Sequence, residues 1–306
     1  MKKLFILAAI FAATGASGLA ALDTAKIDSV TGLRGKLNEK EGVYKVTFPR
    51  DDVKVVVDGW TMAPFMGLGT WAAFTKGAHT EVMVMGDTVL FEDEVNSAMS
   101  AALDNGLNVT ALHNHFFFDQ PKVYFMHIEG EGTVDQLAGA VKKMYDTTKA
   151  IRGPNAKPAE SFAAVGRASL PEKNSISAAP LNEIFGVQGE VKDGMVKFTI
   201  GRPAKMHGVK IDKDMGVNTW AAFAGSDDNA VVDGDFAVTE DELQPVLKSL
   251  LKDKINIVAI HQHMTHEEPR IMFFHYWGRG SAKDLAQALK GGLLVGGLLK
   301  VSSPIE

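Results

Sequence analysis

"VTALHNHFFFDQPKVYFMHIEG", residues 109–130, and "IVAIHQHMTHEEPRIMFFHYWG", residues 257–278, are two versions of one pattern. His113, His115, Pro121, His127 and Gly130 recur as His261, His263, Pro269, His275 and Gly278, all at an offset of 148, while most side chains between them change. The likeness extends outward. Thr70-Trp71-Ala72-Ala73-Phe74 returns as Thr219-Trp220-Ala221-Ala222-Phe223. Gly86-Asp87 followed by Glu92-Asp93-Glu94-Val95 returns as Gly234-Asp235 followed by Glu240-Asp241-Glu242-Leu243. So many matches at nearly one spacing mark a duplicated domain rather than a solenoid of short units.

Each copy reads as α+β. In the first, Val43–Phe48, Val53–Val57, Thr70–Phe74 and Glu81–Met85 have the β-branched and aromatic content of strands. Residues 92–103 place Val95, Met99, Ala102 and Leu103 at helical spacing. In the second copy Thr239 and Glu242 form a capping box that sharpens the same helix start. Two strands follow, Asn108–His115 and Val123–Glu129, and then a closing helix over Val134–Thr147, matched by Ala282–Lys290. The expected architecture is therefore two tandem homologous domains, each a mainly antiparallel sheet with two packed helices. They span residues 21–149 and 181–306, with an Ala-, Ser-, Pro- and Gly-rich linker at 150–180.

The histidines fall on the strands. Side chains alternate faces along a strand, so Val109, Ala111, His113 and His115 should share a face of the first strand, and Val123, Phe125 and His127 a face of the next. A symmetric hairpin sets His113 opposite Phe125 and His127 opposite Ala111, which brings His113 and His127 within joint reach of one ion. His115, His261, His263 and His275 complete two such clusters, with His266 an additional donor in the second. Imidazole nitrogens in threes suit Zn, Cu or Fe and leave a position open for water or substrate. Asp119, Glu267 and Glu268, in the intervening turns, are the candidate catalytic carboxylates, acting as fourth ligand, hydrogen-bond partner of an imidazole, or general base. The alternative is that the histidines are structural, since duplication copies structural residues as readily as functional ones.

The other repeated features read as structure. Trp71 and Trp220 suit core positions. Gly86-Asp87 and Gly234-Asp235 suit turns before the helix. Glu94 and Glu242 suit support of the helix start. His79 and His207 have no counterpart in the other copy and read as surface or loop residues.

The chain opens with Lys2 and Lys3, an apolar run from Leu4 to Ala13, and small residues ending Gly18-Leu19-Ala20, the pattern of a signal peptide over residues 1–20. Removing that segment takes the formal charge from −5 to −7, which argues against a nucleic-acid partner. Without cysteine, thiol chemistry and disulfides are both absent. No phosphate-cradling glycine loop, nucleophile elbow or zincin helix is present, and no stretch of the mature chain is long and apolar enough to span a membrane.

"GVYKVTFPR", "GLGTWAAF", "VTALHNH" and "PKVYFMHI", in a duplicated chain behind a signal peptide, resemble the LppY/LpqO family, a domain of unknown function. The resemblance covers nearly all of the mature chain and implies an exported two-domain protein, but it implies no activity. The family's name comes from lipoproteins. This chain lacks a lipid-carrying cysteine, so periplasmic or secreted localisation without an anchor is expected. Three functions follow from the residues: divalent metal binding by the histidine clusters, metal-dependent hydrolysis at them, or metal-free binding of a cell-envelope ligand. The partner is thus a metal ion or an unidentified small ligand.

Overall fold

Both copies run through the same elements in the same order. The protein is described by a computed structural model covering residues 22–155, 157–161 and 170–299; the expected signal peptide and part of the expected linker lie outside the described residues. The first repeat contains α1 (Thr24–Thr31), β1 (Lys36–Asn38), β2 (Val43–Pro49), β3 (Val56–Val57), β4 (Trp60–Thr61), β5 (Gly69–Lys76) and β6 (Val82–Phe91). It continues with α2 (Val95–Asp104), β7 (Asn108–His113), β8 (Asp119–Gln120), β9 (Val123–Gly132) and α3 (Val134–Arg152). The second opens with α4 (Ala178–Phe185), β10 (Glu190–Lys192), β11 (Met195–Gly201), β12 (Ala204–Met206), β13 (Val209–Ile211), β14 (Asn218–Gly225) and β15 (Ala230–Thr239). It closes with α5 (Glu240–Lys252), β16 (Asn256–His261), β17 (Glu267–Glu268), β18 (Ile271–Gly280) and α6 (Ala282–Val295). The fold is α+β with antiparallel strand pairing, as the sequence predicts. Among the described residues no helix is long and apolar enough to cross a membrane.

The two copies share one sheet. Its strand order is β1-β2-β5-β6-β9-β7-β16-β18-β15-β14-β11-β10, a palindrome whose centre is the β7–β16 pair. At that centre Leu112 faces Ile260, and both side chains are buried in a core cluster that runs through both repeats and includes α2, α3, α5 and α6. Directly paired residues point to the same side of a sheet. The helices of both repeats therefore cover one face. On the other face each repeat has a smaller apolar cluster of its own, around Phe91 and Phe125 in the first and around Ile271 and Phe273 in the second.

Several local expectations change: the strand expected to reach His115 ends at His113, and the helix expected to end at Thr147 runs on to Arg152. The strand expected at Val53–Val57 shrinks to Val56–Val57, which joins β4 and β8 in a small separate sheet. The strand expected to end at Met85 runs on to Phe91, so Gly86-Asp87 and Gly234-Asp235 are mid-strand rather than turns. Glycine is needed there for close packing: a Cβ on Gly86 would meet the Trp71 carbonyl oxygen at 2.7 Å. In the second copy the corresponding space holds the Tyr276 hydroxyl, which donates to the Trp220 carbonyl at 2.9 Å. Finally, a bulge between Val109 and Ala111, repeated between Ile257 and Ala259, turns Val109 and Ile257 to the helix side, away from the histidine face.

The bulges also weld the repeats. A bulged residue leaves backbone groups without a ladder partner. Beside each bulge the helix of the opposite repeat bonds the backbone: Asn96 Oδ1 accepts the Ile257 N–H at 2.7 Å, and Gln244 accepts the Val109 N–H at 2.8 Å while donating to its carbonyl at 3.0 Å. Asn96 and Gln244 occupy the same position of the two copies.

Glu94 supports the start of α2, as expected, and does more. It accepts the Phe91 N–H at 3.0 Å and lies fully buried between Arg50 at 2.8 Å and Arg152 at 2.8 Å. In the second copy Glu242 accepts the Thr239 N–H at 2.9 Å and pairs with Arg202 at 2.7 Å.

Candidate metal centres

The expected hairpin register holds in both copies: Ala111 faces His127 and His113 faces Phe125, and Ala259 faces His275 and His261 faces Phe273. His127 and His275 alternate with Phe125 and Phe273 along β9 and β18, so all four sit on the face opposite the helices. Both histidine clusters lie on that one face. His113 and His261 each follow the central Leu112–Ile260 pair by one residue.

In the first repeat His113 Nε2 lies 3.1 Å from His115 Nε2, and the rings of His113 and His127 stack at 5.2 Å. His115 lies flat on Phe125 with centroids 3.4 Å apart, so β7's next residues stay over the cluster although the strand has ended. In the second, His261 Nε2 is 3.1 Å from His263 Nε2, the rings of His261 and His275 stack at 4.8 Å, and His263 lies on Phe273 at 3.5 Å. His115, two residues past the end of β7, is a full member of its cluster.

Each cluster has a carboxylate that sequence reading missed. Asp87 faces His127 in the β6–β9 register, and Asp235 faces His275 in the β15–β18 register. Both are buried, and one oxygen of each (Oδ1) has no hydrogen-bond partner among the described residues. Asp235 Oδ2 lies 3.2 Å from His263 Nε2, and Asp235, His261 and His263 place one ligand atom each within 4.8 Å of one another. The signal was in the repeat, since Gly-Asp recurs at the histidine offset of 148. Its composition, however, is that of a turn.

Hydrogen bonds set the tautomers. His263 Nδ1 is 3.1 Å from the Gly216 carbonyl oxygen and His275 Nδ1 is 3.2 Å from that of Gly234. A carbonyl only accepts, so Nδ1 carries a proton in each ring, and in the neutral imidazole Nε2 then presents a lone pair. In that neutral form His263 Nε2 faces the Asp235 carboxylate and His261 Nε2 at close range, an arrangement that a cation among them, a proton or a metal ion, would satisfy. Two nitrogens 3.1 Å apart, each about 2.05 Å from one ion, subtend about 100° there, between octahedral and tetrahedral angles.

Burial disfavours the charged form of three of these imidazoles, His113, His115 and His261. Burial, then His275 and His263, lower His261 to about 4. Burial, followed by His115 and His127, lowers His113, with Asp87 opposing. Burial also lowers His115, against the pull of Asp87. Burial raises Asp87 and Asp235, and the nearby histidines hold both back.

The remaining candidates lie elsewhere or are engaged. Asp119 accepts the Val123 N–H at 2.7 Å and Glu267 the Ile271 N–H at 3.2 Å, so each carboxylate braces its own loop. Glu268 is exposed on β17 opposite Lys205. His266 pairs not with the cluster but with His207, its ring 5.8 Å away across a surface depression that Glu268 also lines. His79 is exposed. The two tryptophans are not core residues: Trp71 and Trp220 are half-buried, with the ammonium groups of Lys45 and Lys197 at 4.0 and 4.4 Å over their rings. Trp71 neighbours Asp87 and Trp220 neighbours Asp235 on the adjoining strands.

The profile of a family described as Domain of Unknown Function (DUF1259) matches residues 25–147 and 179–294. No curated protein matches. Among solved structures, the crystal structure of a trimeric bacterial microcompartment shell protein, PduB, is similar over 85% of this chain and 89% of that one, at 11% identity. Its TM-score of 0.23 is too low to bear on fold or assembly.

Proposed function

The chain belongs to the family described as Domain of Unknown Function (DUF1259), in two copies, and from that premise we propose that it binds a divalent transition-metal ion in each repeat. The first site comprises His113, His115, His127 and Asp87; the second comprises His261, His263, His275 and Asp235. One observation carries the reading: His263 Nε2, its proton held on the other ring nitrogen, lies 3.1 Å from His261 Nε2 and 3.2 Å from Asp235 Oδ2. Three imidazoles and one carboxylate suit zinc, copper or ferrous iron. The resemblance to the LppY/LpqO family and the leader-like residues 1–20 support a reading in which this binding takes place in the periplasm or outside the cell, after cleavage near Ala20.

The test is metal analysis of protein purified without an affinity tag, with melting temperature followed as zinc or copper is added. The expected results are bound metal and a higher melting temperature on titration, because a ligand specific to the folded state stabilises it by mass action. The His113→Ala, His261→Ala double variant should lose the shift. No bound metal and no uptake, or an unchanged shift in the double variant, would overturn the reading.

A further inference from the structure

Beyond the metal centres, a cleft of about 370 Å³ lies at the repeat junction, lined by residues from both sides of the sheet. It exists because β7 ends at His113 and leaves the sheet just past the Leu112–Ile260 pair, while β16 and β9 continue on either side. Asn96 closes its floor by bonding to Ile257. Tyr124 and Glu92 come from the first repeat, and Asp233, His275 and Trp277 from the second. The volume is at the lower end of the range for small-molecule sites.

The chemistry of its walls is selective. Trp277, 37% exposed, and Tyr124, half-buried and packed against the helix-side core, both line the cleft. Neither the Glu92 nor the Asp233 carboxylate has a hydrogen-bond or ion-pair partner among the described residues. Burial and the nearby Glu92 raise the Tyr124 phenol, which stays protonated. Aromatic faces attract cations through their quadrupole, and unpaired carboxylates add charge attraction. The related position in the other half differs at each point: Met85 stands for Asp233, Met272 for Tyr124 and Glu129 for Trp277. Glu240, in the place of Glu92, is paired with Arg270 at 3.5 Å.

We propose that this cleft binds one small organic ammonium ion per chain, its charge held by Glu92 and Asp233 and its apolar group against Trp277 and Tyr124. Binding does not require metal, although His275 brings the ligand beside the second metal centre.

Calorimetry on the full chain, freed of metal by chelation, tests this with phenethylammonium and its neutral analogue 2-phenylethanol. The ammonium should bind saturably at one site per chain and at least about tenfold more tightly than the alcohol, with affinity falling toward about 0.5 M salt. The Glu92→Gln, Asp233→Asn double variant should lose about tenfold in ammonium affinity while keeping the metal content of the parent. The isosteric changes leave the core untouched, and retained metal content also reports the fold. No saturable binding at millimolar concentration, equal binding of the alcohol, two equal sites, or unchanged affinity in the double variant would each overturn the proposal. A failure to find metal would bear only on the metal centres.

Discussion

Asn96 and Ile257, 161 positions apart, are joined by a hydrogen bond of 2.7 Å that crosses from one repeat to the other. Gln244 and Val109 make the reverse exchange at 2.8 Å. Both backbone N–H groups sit at bulges where the sheet ladder breaks, so the amides finish a sheet that strand pairing alone leaves open. The two domains are thereby bonded to each other at their junction, and Asn96 also closes the floor of the cleft beside His275.

Removing either amide leaves a backbone N–H in a largely buried setting without its partner, which costs about 1–3 kcal/mol. Asn96→Ala and Gln244→Ala should each lower stability in denaturant titration by that order. Amide exchange at Ile257 and Val109 should accelerate more than exchange within β6 or β15. Equal acceleration throughout would show that the amides do not act at the seam.

Glu94 is the most exposed to failure among the buried charges, because two guanidinium groups depend on it. Glu94→Ala should destabilise the chain by about 3–5 kcal/mol, the cost of leaving buried charge unpaired. Its counterpart Glu242→Ala, beside a single partly exposed Arg202, should cost less. Chemical denaturation of the two variants compares them directly.

The carboxylates bear on metal affinity. Asp235→Asn removes an anionic donor 3.2 Å from His263 Nε2 but keeps its shape. Zinc affinity of the second site should fall by at least about tenfold, with the unliganded melting temperature little changed or raised, since burial disfavours the ionised Asp235. Competition titration with a chromophoric chelator measures this. Unchanged affinity would mean that the carboxylate stays outside the coordination shell.

The pH dependence has a definite sign. His261 titrates near 4 in the fold and at its ordinary value of 6.5 when unfolded, so the unfolded chain gains a proton first as pH falls. Metal-free stability should decline from about pH 6.5 toward 4, and His261→Asn should flatten that decline. Asp235, raised by burial, acts oppositely over its own window above 3.8, which is why the comparison with His261→Asn isolates the histidine. For the same reason His261 should remain available as a ligand at pH 5, where an ordinary histidine is mostly protonated.

The parts of this protein legible in the sequence are those governed by short-range rules. The duplication is a direct comparison of residues, and the two-residue period of strands sets His113 against Phe125 and His127 against Ala111 without reference to the rest of the chain. The capping box at Thr239 is equally local. What lay beyond reach depends on pairing between distant segments. Asp87 reaches the cluster only because β6 lies beside β9, so a Gly-Asp pair with the look of a turn proves to be mid-strand. The bulges that turn Val109 and Ile257 toward the helices are inserted residues in a ladder, visible only once both strands are in register. The union of two domains into one sheet rests on Leu112 meeting Ile260 and on amides from the opposite repeat. Local periodicity fixes which way a side chain points along its own strand, whereas burial of shared apolar surface and completion of backbone hydrogen bonds decide which strand lies next to it.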